Sequence, residues 1–352
     1  MANDKNLALI YKKLPQGFPK AGQDLTVEDL GADAAKLPSD GIVARVIYSS
    51  LDPYLRGLLR DPSVKSYFPP LQLGAPVKSA SVAKVEQSNT EDYKVGDLIV
   101  GRLPIQQVVA ISGEELEQLK AAGLNKLDTT GGPSDIDQYL GVLGMPGLTA
   151  YSSLYEIGKP QKGETIFISS AAGAVGQLVG QLAKHEGLRV IGSVGNDEKL
   201  QYIKDLGFDD GFNYKTEKPI DALRRLAPDG VDIYYENVGG EQLEAALECM
   251  NTHGRIVACG MISDYNVKNP EDRYPIRNLM MVVGKQLTMR GFLVANKDFG
   301  PKWRQEHQQK VRAWLKDGSF KAKSHVWNIE DADKGFVGML QGENHGKAVV
   351  KL

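Results

Sequence analysis

The feature that most constrains the fold is the stretch from Thr165 to Gly187, TIFISSAAGAVGQLVGQLAKHEG. It opens as a short apolar strand, Thr165–Ser169, turns through small residues and continues with the periodicity of an amphipathic helix. The apolar positions that share one face of this helix are Val175, Leu178, Val179 and Leu182. A glycine turn between a strand and a helix N-terminus is typical of sites where backbone N–H groups bind a pyrophosphate.

The turn carries two of the three glycines of the dinucleotide-binding pattern G-x-G-x-x-G, because Ala171 stands at the first position. We expect Gly173 to let backbone N–H groups approach a pyrophosphate, and Gly176 and Gly180 to let the helix lie close to the sheet. The alternative is that these glycines serve packing alone. The strand before the turn and the helix after it favour binding.

Four further apolar runs follow the first strand and are typical of strands covered on both faces. They are LRVIGS (188–193), VDIYYE (231–236), RIVACG (255–260) and QLTMRGF (286–292). Helix-length segments between such strands predict right-handed βαβ crossovers and an α/β fold with a doubly wound parallel sheet of the Rossmann type. A late helix is predicted from about Lys302 to Lys316.

The first 140 or so residues show a different pattern, in which apolar residues alternate with polar ones as in half-buried strands. These runs are Gly41–Ser50, Ser79–Glu86, Gly96–Gly101 and Gln106–Ser112, and the tail repeats the style in KSHVWNI and GKAVVKL. We therefore expect the parallel-sheet domain, residues 144–315, to be inserted into a mostly β substrate domain formed by residues 1–143 and 316–352.

The end of the second strand bears on the choice of dinucleotide. An NAD site usually has Asp or Glu about 20 residues beyond the glycines, to accept from the ribose 2′-OH. Here that position falls on Ser193, and no acid ends the strand. Small residues leave room for a 2′-phosphate, and Lys199 would supply its counter-charge, which favours NADPH. The alternative for Lys199 is a solvated helix face.

The amino-acid composition limits which kinds of partner and which metal sites we expect. With 42 Lys and Arg against 44 Asp and Glu, the formal net charge is −2, and nucleic acid is not expected as the main partner. No stretch offers the ~20 apolar residues needed to span a bilayer, so we expect a cytoplasmic protein without a membrane partner. The two cysteines, Cys249 and Cys259, and five scattered histidines lack metal-ligand spacing, so we expect no metal.

Seven stretches together resemble the zinc-independent medium-chain reductases, in the group of leukotriene B4 dehydrogenase, prostaglandin reductase and the plant alkenal double-bond reductases. They are SLDPYLR (50–56), GMPGLTAY (144–151), AAGAVGQLVGQLAK (171–184), DEKLQYIKDLGFDDGFNYK (197–215), YYENVGG (234–240), GRIVACGMISDYN (254–266) and NHGKAVVKL (344–352). The resemblance implies a GroES-like substrate domain, NADPH as the cofactor and a homodimer.

The resemblance also implies which residues contact the cofactor. The 2′-phosphate would be held by Lys199 and Tyr214. The other implied contacts are Asn237, Cys259, Gly260, Met261, Ile262, Ser263, Tyr265, Phe292, Leu293, Val294 and Asn344. The strand-turn-helix pattern itself adds Gly173, Ala174, Val175, Gly176 and Ser193 to the expected cofactor contacts. Singly, Tyr214 would serve equally well to cap a strand, and Asn237 to satisfy a turn.

For a metal-free site, conjugate reduction is the easier reaction, because an enone spreads the developing charge into an enolate. We expect hydride to reach the β-carbon of an α,β-unsaturated aldehyde or ketone. Tyr265 is the first candidate to donate a hydrogen bond to the carbonyl oxygen, and Tyr54 is the second. The alternative for both is an aromatic wall without a proton role.

The chain departs from the group in two places that we expect to border the substrate, Leu59–Gly74 and Arg102–Ile111. Relatives often carry a Trp-containing segment at the second of these. Two other functions stay open: a zinc-free NADPH quinone reductase, and a protein that binds NADPH without turnover.

Overall fold

The structure is a computed structural model that describes residues 5–31 and 35–352. The strands are β1 (Leu7–Tyr11), β2 (Leu25–Asp29), β3 (Ile42–Ser50), β4 (Lys78–Ser88), β5 (Leu98–Pro104), β6 (Val108–Ile111), β7 (Asn125–Lys126), β8 (Thr165–Ile168), β9 (Arg189–Val194), β10 (Asp210–Asn213), β11 (Val231–Glu236), β12 (Met250–Ala258), β13 (Thr288–Gly291), β14 (Ser324–Asn328) and β15 (Lys347–Lys351). The helices are α1 (Leu55–Leu58), α2 (Gly113–Ala121), α3 (Met145–Ser153), α4 (Gly176–His185), α5 (Asp197–Asp205), α6 (Pro219–Leu226), α7 (Gly240–Cys249), α8 (Met281–Gly284), α9 (Gly300–Asp317) and α10 (Ala332–Gln341).

The chain divides into two compact units. The first, which we call the antiparallel unit, comprises residues up to Leu140 together with Ser324–Asn344 and Ala348–Leu352. The second, the parallel unit, comprises Gly141–Lys323 and His345–Lys347. In chain order the parallel unit is therefore inserted within the antiparallel one.

The antiparallel unit is built on a seven-stranded sheet in the order β14-β15-β3-β4-β5-β7, with β6 also paired to β3. Strand β3 runs antiparallel to β4, β6 and β15. Alternate residues of β3, such as Ile42, Ala44 and Val46, join a core with Val85 of β4 and Val109 of β6. The alternation seen in the sequence thus marks the face of the sheet that is buried.

The parallel unit holds a six-stranded sheet in the order β10-β9-β8-β11-β12-β13, and every adjacent pair runs parallel. Numbered within the unit, this is the order 3-2-1-4-5-6 of the Rossmann fold, which confirms the predicted fold class. The central strands are apolar on both faces: Ile166, Phe167 and Ile168 are fully buried. The sequence analysis did not identify β10, because its four residues, DGFN, break the apolar pattern.

The division between the units lies near the predicted boundaries but does not coincide with them. The chain enters the parallel unit after Leu140 and leaves it after Lys323, beyond the predicted residue 316. Two glutamines of α4 explain the later exit. Gln181 bonds the backbone N–H and the carbonyl of Lys321, and Gln177 bonds those of Lys323, so this segment stays with the parallel sheet.

Within the described ranges, no helix has both the length and the apolar character that crossing a membrane requires.

Candidate active site

The glycine turn after β8 has the tight geometry expected from its residues. Ser170 adopts a left-handed conformation at φ 52°, and the Gly173 N–H donates to the Ser170 carbonyl at 3.0 Å. A Cβ on Gly176 would lie 2.4 Å from that same carbonyl oxygen, so only glycine lets α4 begin this close to the turn. The N-terminus of α4 therefore faces the turn, as an anion-binding site requires.

Ala171, which replaces the first glycine of the pattern, is accommodated by a glycine elsewhere. Its side chain is fully buried. A Cβ on Gly192 of β9 would come within 2.6 Å of the Ala171 methyl, so the absence of a side chain on the neighbouring strand makes the space. Gly180 has a similar role on α4, where the Phe208 ring occupies the position of a side chain. The missing glycine is thus no argument against a nucleotide site.

The C-terminal segment His345–Lys347 lies directly on the glycine turn. Gly346 forms an isolated parallel bridge with Gly173, and its N–H donates to the Ala172 carbonyl at 2.9 Å. Lys347, which is buried, donates its N–H to the Lys323 carbonyl at 2.8 Å. Asn344 immediately precedes this segment, and its contact with a cofactor stays a prediction.

Of the three residues considered for a 2′-phosphate site, Ser193 lies within β9, Lys199 follows β9 and Tyr214 follows β10. Lys199, in the first turn of α5, is only 7% exposed, so the alternative of a solvated helix face is wrong. Tyr214 lies beside the end of β9, where its hydroxyl is 3.0 Å from the position a Gly195 Cβ would take. Ser193 is fully buried, and its hydroxyl donates to Gln242 of α7. The Ser193 side chain therefore serves the interior of the unit.

A polar network joins the ends of β8 and β11, the two strands between which the strand order reverses. Asn237 donates its side-chain N–H to the Ser169 carbonyl at 2.7 Å, and its backbone N–H to the Ser169 hydroxyl at 2.9 Å. In open α/β sheets, ligands bind at this point, outside the carboxyl ends of the strands. Asn237 is therefore placed where a dinucleotide would cross the sheet.

Glu236 belongs to the same network and was missed by sequence reasoning. It is fully buried, and its Oε1 accepts from the backbone N–H groups of Val238 and Gly239 at 2.6 and 2.8 Å. Burial raises the pKa of this carboxyl, against the lowering effect of those two N–H groups. The sequence did contain a signal for Glu236: this acid ends the largely apolar run VDIYYE and stands three residues before Gly239.

The loop after β12 brings the remaining predicted residues to this sheet edge. The N–H groups of Ile262 and Ser263 donate to the carbonyls of Asn237 and Val238 at 3.2 and 3.0 Å. Tyr265 folds back over the loop, with its hydroxyl 3.2 Å from the position a Gly260 Cβ would take. The loops after β11 and β12 thus form one layer that includes Cys259, Gly260 and Met261.

The thiol of Cys259 is desolvated. Although the residue is only half-buried, desolvation raises the pKa of its thiol to about 12. The thiol is therefore protonated.

Phe292 follows β13, whose Gly291 pairs with Ala258, so Phe292–Val294 continue the same sheet edge. The turn is closed by the Gly300 N–H, which donates to the Val294 carbonyl at 2.8 Å.

Tyr54 belongs to the antiparallel unit. It immediately precedes α1, and its ring centroid is 6.0 Å from that of Phe68. Burial raises the pKa of its hydroxyl, Asp52 adds to the rise and the charge of Arg102 opposes it. The hydroxyl is therefore protonated at neutral pH.

In the part of the chain that the structure describes, no three His, Cys, Asp or Glu side chains are grouped as ligands for a metal.

The chain was compared with protein families, with known proteins and with solved structures. A family model for the N-terminal domain of oxidoreductases matches residues 8–119, and a model for zinc-binding dehydrogenases matches residues 174–310. The chain is 48% identical to the NADP-dependent oxidoreductase RED1 of Cochliobolus heterostrophus, over 99% of this chain and 98% of that protein. It is 38% identical to the NADP(+)-dependent 2-alkenal reductase of Nicotiana tabacum, over 99% of this chain and 97% of that protein.

Among solved structures, CurA from Vibrio vulnificus in complex with NADPH superposes with a TM-score of 0.86 at 32% identity, and 98% of each chain is covered. The TM-score over nearly the whole of both chains agrees with the fold described above. The chain therefore belongs to the zinc-independent group of the medium-chain dehydrogenase/reductase family.

Proposed function

We propose that the protein is an NADPH-dependent oxidoreductase that reduces the C=C double bond of α,β-unsaturated aldehydes and ketones. The observation that carries the proposal is the Tyr265 hydroxyl, held beside Gly260 in a loop bonded to Asn237 at the switch point of the sheet. The relatives support it, because one is a 2-alkenal reductase at 38% identity. A second relative, from Escherichia coli, is an NADPH-dependent curcumin reductase at 34% identity.

The residues of the parallel unit fit NADPH. The turn around Gly173 and the N-terminus of α4 suit a pyrophosphate, and Gly176 leaves space that a Cβ would fill. Lys199 and Tyr214, beside the end of β9, suit a 2′-phosphate, for which an ammonium group is a good counter-charge. When bound, NADPH supplies a hydride for the β-carbon of the substrate.

The chain's own part in the reaction is to hold the substrate and to stabilise the charge that develops on its carbonyl oxygen. The Tyr265 hydroxyl donates a hydrogen bond to that oxygen, where negative charge grows as the enolate forms. A proton from solvent then reaches the α-carbon and completes the saturated product. Tyr54, protonated and partly exposed, is the second candidate for this donor.

The test uses the purified protein with NADPH and with NADH, against a medium-chain 2-alkenal, an aryl enone and a simple quinone. We expect Tyr265→Phe to lower kcat on the enone by about 100-fold, the cost of losing one donor to a developing oxyanion. The dissociation constant for NADPH, measured by fluorescence quenching, should change less than about twofold. Tyr274→Phe is the matched control, because this tyrosine bonds the surface carboxylate Glu244.

Three outcomes would overturn parts of the proposal. Turnover of Tyr265→Phe close to that of the wild type removes the donor assignment. Fast reduction of the quinone with no reduction of the 2-alkenal indicates a quinone reductase. Quenching of NADPH fluorescence without oxidation by any acceptor indicates a protein that binds the cofactor without turnover.

We also propose that the protein is a homodimer that forms through the edge strand β13. This strand ends the parallel sheet, and its four residues are all exposed, whereas parallel strands are normally covered. The neighbouring segment exposes Leu279, Met280 and Val283, of which Met280 is 74% exposed. An uncovered edge beside an apolar surface is typical of a site for a second copy.

A further inference from the structure

His345 belongs to the C-terminal segment that lies on the glycine turn of the parallel unit. The next residue, Gly346, bonds the Ala172 carbonyl at 2.9 Å and forms the bridge with Gly173. The His345 side chain reaches α5, because its Nε2 is 3.7 Å from Oε2 of Glu198 in the first turn of that helix. His345 therefore joins the two elements between which the adenosine of a bound dinucleotide lies in a Rossmann fold.

The contact with Glu198 does little to hold this segment in place. The Glu198 side chain is 86% exposed, whereas that of His345 is 18% exposed. An ion pair with one strongly exposed partner contributes little to stability, because water competes for its charge. The segment is held by backbone hydrogen bonds, in which Gly346 donates to Ala172 and Lys347 donates to Lys323. Replacing the imidazole therefore leaves this anchorage intact.

The same turn of α5 is where a 2′-phosphate is expected. Lys199 follows Glu198 in this turn, and Asn196 caps it by accepting a hydrogen bond from the Lys199 N–H at 2.8 Å. The first N–H groups of a helix point toward its N-terminus and favour an anion there. One helical turn rises only about 5.4 Å, so the His345 ring, which already contacts a carboxylate of this turn, is a neighbour of any phosphate bound at it.

The charged side chains around His345 come from α5, from its own segment and from the segment before β14. They are Glu198 and Lys199 of α5, Lys347 and Lys323. The Lys323 ammonium is 5.5 Å from the centroid of the Tyr202 ring on α5. The other acid of the first turn, Asp197, accepts from the Asn213 side chain at 3.0 Å. The glycine turn, residues 169–175, carries no charged side chain.

Among these residue types, only histidine normally changes its charge between pH 6 and pH 8. In its protonated form the imidazole is a cation with two N–H donors, which suits a phosphate oxygen. The exposed Glu198 side chain is easily replaced as the partner of His345, because water hydrates the released carboxylate.

We propose that His345 is a specificity-determining residue for the cofactor, whose imidazolium exchanges the Glu198 carboxylate for the 2′-phosphate of NADPH. NADH has a hydroxyl at that position and gains no such bond. The preference for NADPH over NADH therefore increases as the imidazole takes up a proton. This role of His345 rests on the cofactor of the proposed function and is independent of the substrate that is reduced.

The experiment titrates NADP+ and NAD+ calorimetrically into the purified protein at pH 6.0 and at pH 8.0, with no substrate present. Each variant is compared with the wild type at the same pH. The 2′-phosphate itself takes up a proton near pH 6, but this change is common to all the proteins and cancels in the comparison.

At pH 6.0 we expect His345→Asn to bind NADP+ about fivefold more weakly than the wild type, because it lacks one partly exposed charged hydrogen bond. At pH 8.0 the difference should be less than about twofold, since the wild-type imidazole is then neutral. The affinity for NAD+ should not change at either pH. His345→Lys keeps a cation at both pH values, so its preference for NADP+ should be as strong at pH 8.0 as at pH 6.0.

His253→Asn is the matched control. It makes the same substitution at an exposed histidine of the parallel unit, and asparagine readily adopts the φ of 66° found there. Both affinities should equal those of the wild type. Thermal unfolding checks that each variant is folded.

An equal loss of affinity for NADP+ and NAD+ in His345→Asn overturns the proposal, because the imidazole would then act on the pyrophosphate or on the fold. So does a loss for NADP+ that is the same at both pH values, or a His345→Lys variant that prefers NADP+ at pH 8.0 no more than His345→Asn does. A wild type that binds neither dinucleotide overturns the cofactor and His345 together. Failure to reduce an enone while NADP+ binds leaves the assignment of His345 to these titrations.

Discussion

At the scale of single residues, glycines and their immediate neighbours decide whether the nucleotide turn forms. Ala171 fits at a position usually reserved for glycine because Gly192, on the adjacent strand, has no side chain. Gly346 is constrained more strongly, because its φ is +75° and a Cβ there would lie 2.0 Å from the Lys323 carbonyl oxygen. Both constraints join residues that are far apart in the chain.

We expect Gly346→Ala to be strongly destabilising. The left-handed φ alone costs about 1 kcal/mol, and contact with a backbone oxygen that cannot rotate away raises the loss to about 3 kcal/mol or more. Denaturant unfolding measures the change. Gly318→Ala is the matched control: its φ is +77°, but nothing lies within 4 Å of the added Cβ, so only the conformational cost should appear. Equal losses in the two variants would contradict the steric contribution.

At the scale of elements, hydrogen bonds from side chains of α9 hold this helix against the segment before α3. The His307 ring is fully buried, and its Nε2 donates to the Val142 carbonyl at 3.0 Å. The adjacent Gln308 donates its side-chain N–H to the Leu143 carbonyl at 2.8 Å. Burial lowers the pKa of His307 to about 4, against the raising effect of the bond to Val142. The imidazole is therefore neutral in the folded protein.

This packing predicts a specific loss of stability in acid. The unfolded chain takes up a proton at His307 near pH 6.5, whereas the folded chain does so only near pH 4. Acidification from pH 7.5 to pH 4 therefore favours unfolding by about 3 kcal/mol through this residue. His307→Gln keeps a donor for Val142 but does not titrate, so its free energy of unfolding should fall by that much less over the same range. Parallel pH profiles for the two proteins would exclude the contribution.

At the scale of the whole molecule, the uncovered strand β13 predicts assembly. Analytical ultracentrifugation should give twice the chain mass of 38.4 kDa, and Val283→Asp should shift the equilibrium toward the monomer. Val95→Asp is the matched control, because both valines are 68% exposed but Val95 belongs to the other unit. A wild-type monomer at micromolar concentration would refute the homodimer.

The sequence alone determined the order of the elements. The apolar runs at β8, β9, β11, β12 and β13, and the glycine turn before α4, are local patterns, so they predicted the parallel sheet and its nucleotide turn. The resemblance to the family followed from seven short stretches, which include the glycine turn. Local patterns missed the short and polar β10, and they also missed β1 and β2, which pair with each other.

Only the tertiary structure decided which residues meet. That Asn237 bonds Ser169 at the end of β8, that Gly346 lies on the glycine turn and that Lys199 is buried all depend on contacts between distant segments. The contact between His345 and Glu198 was equally out of reach of the sequence. The physical reason is that periodicity reports which face of an element is apolar, whereas hydrogen bonds, steric limits and desolvation depend on which other element covers that face.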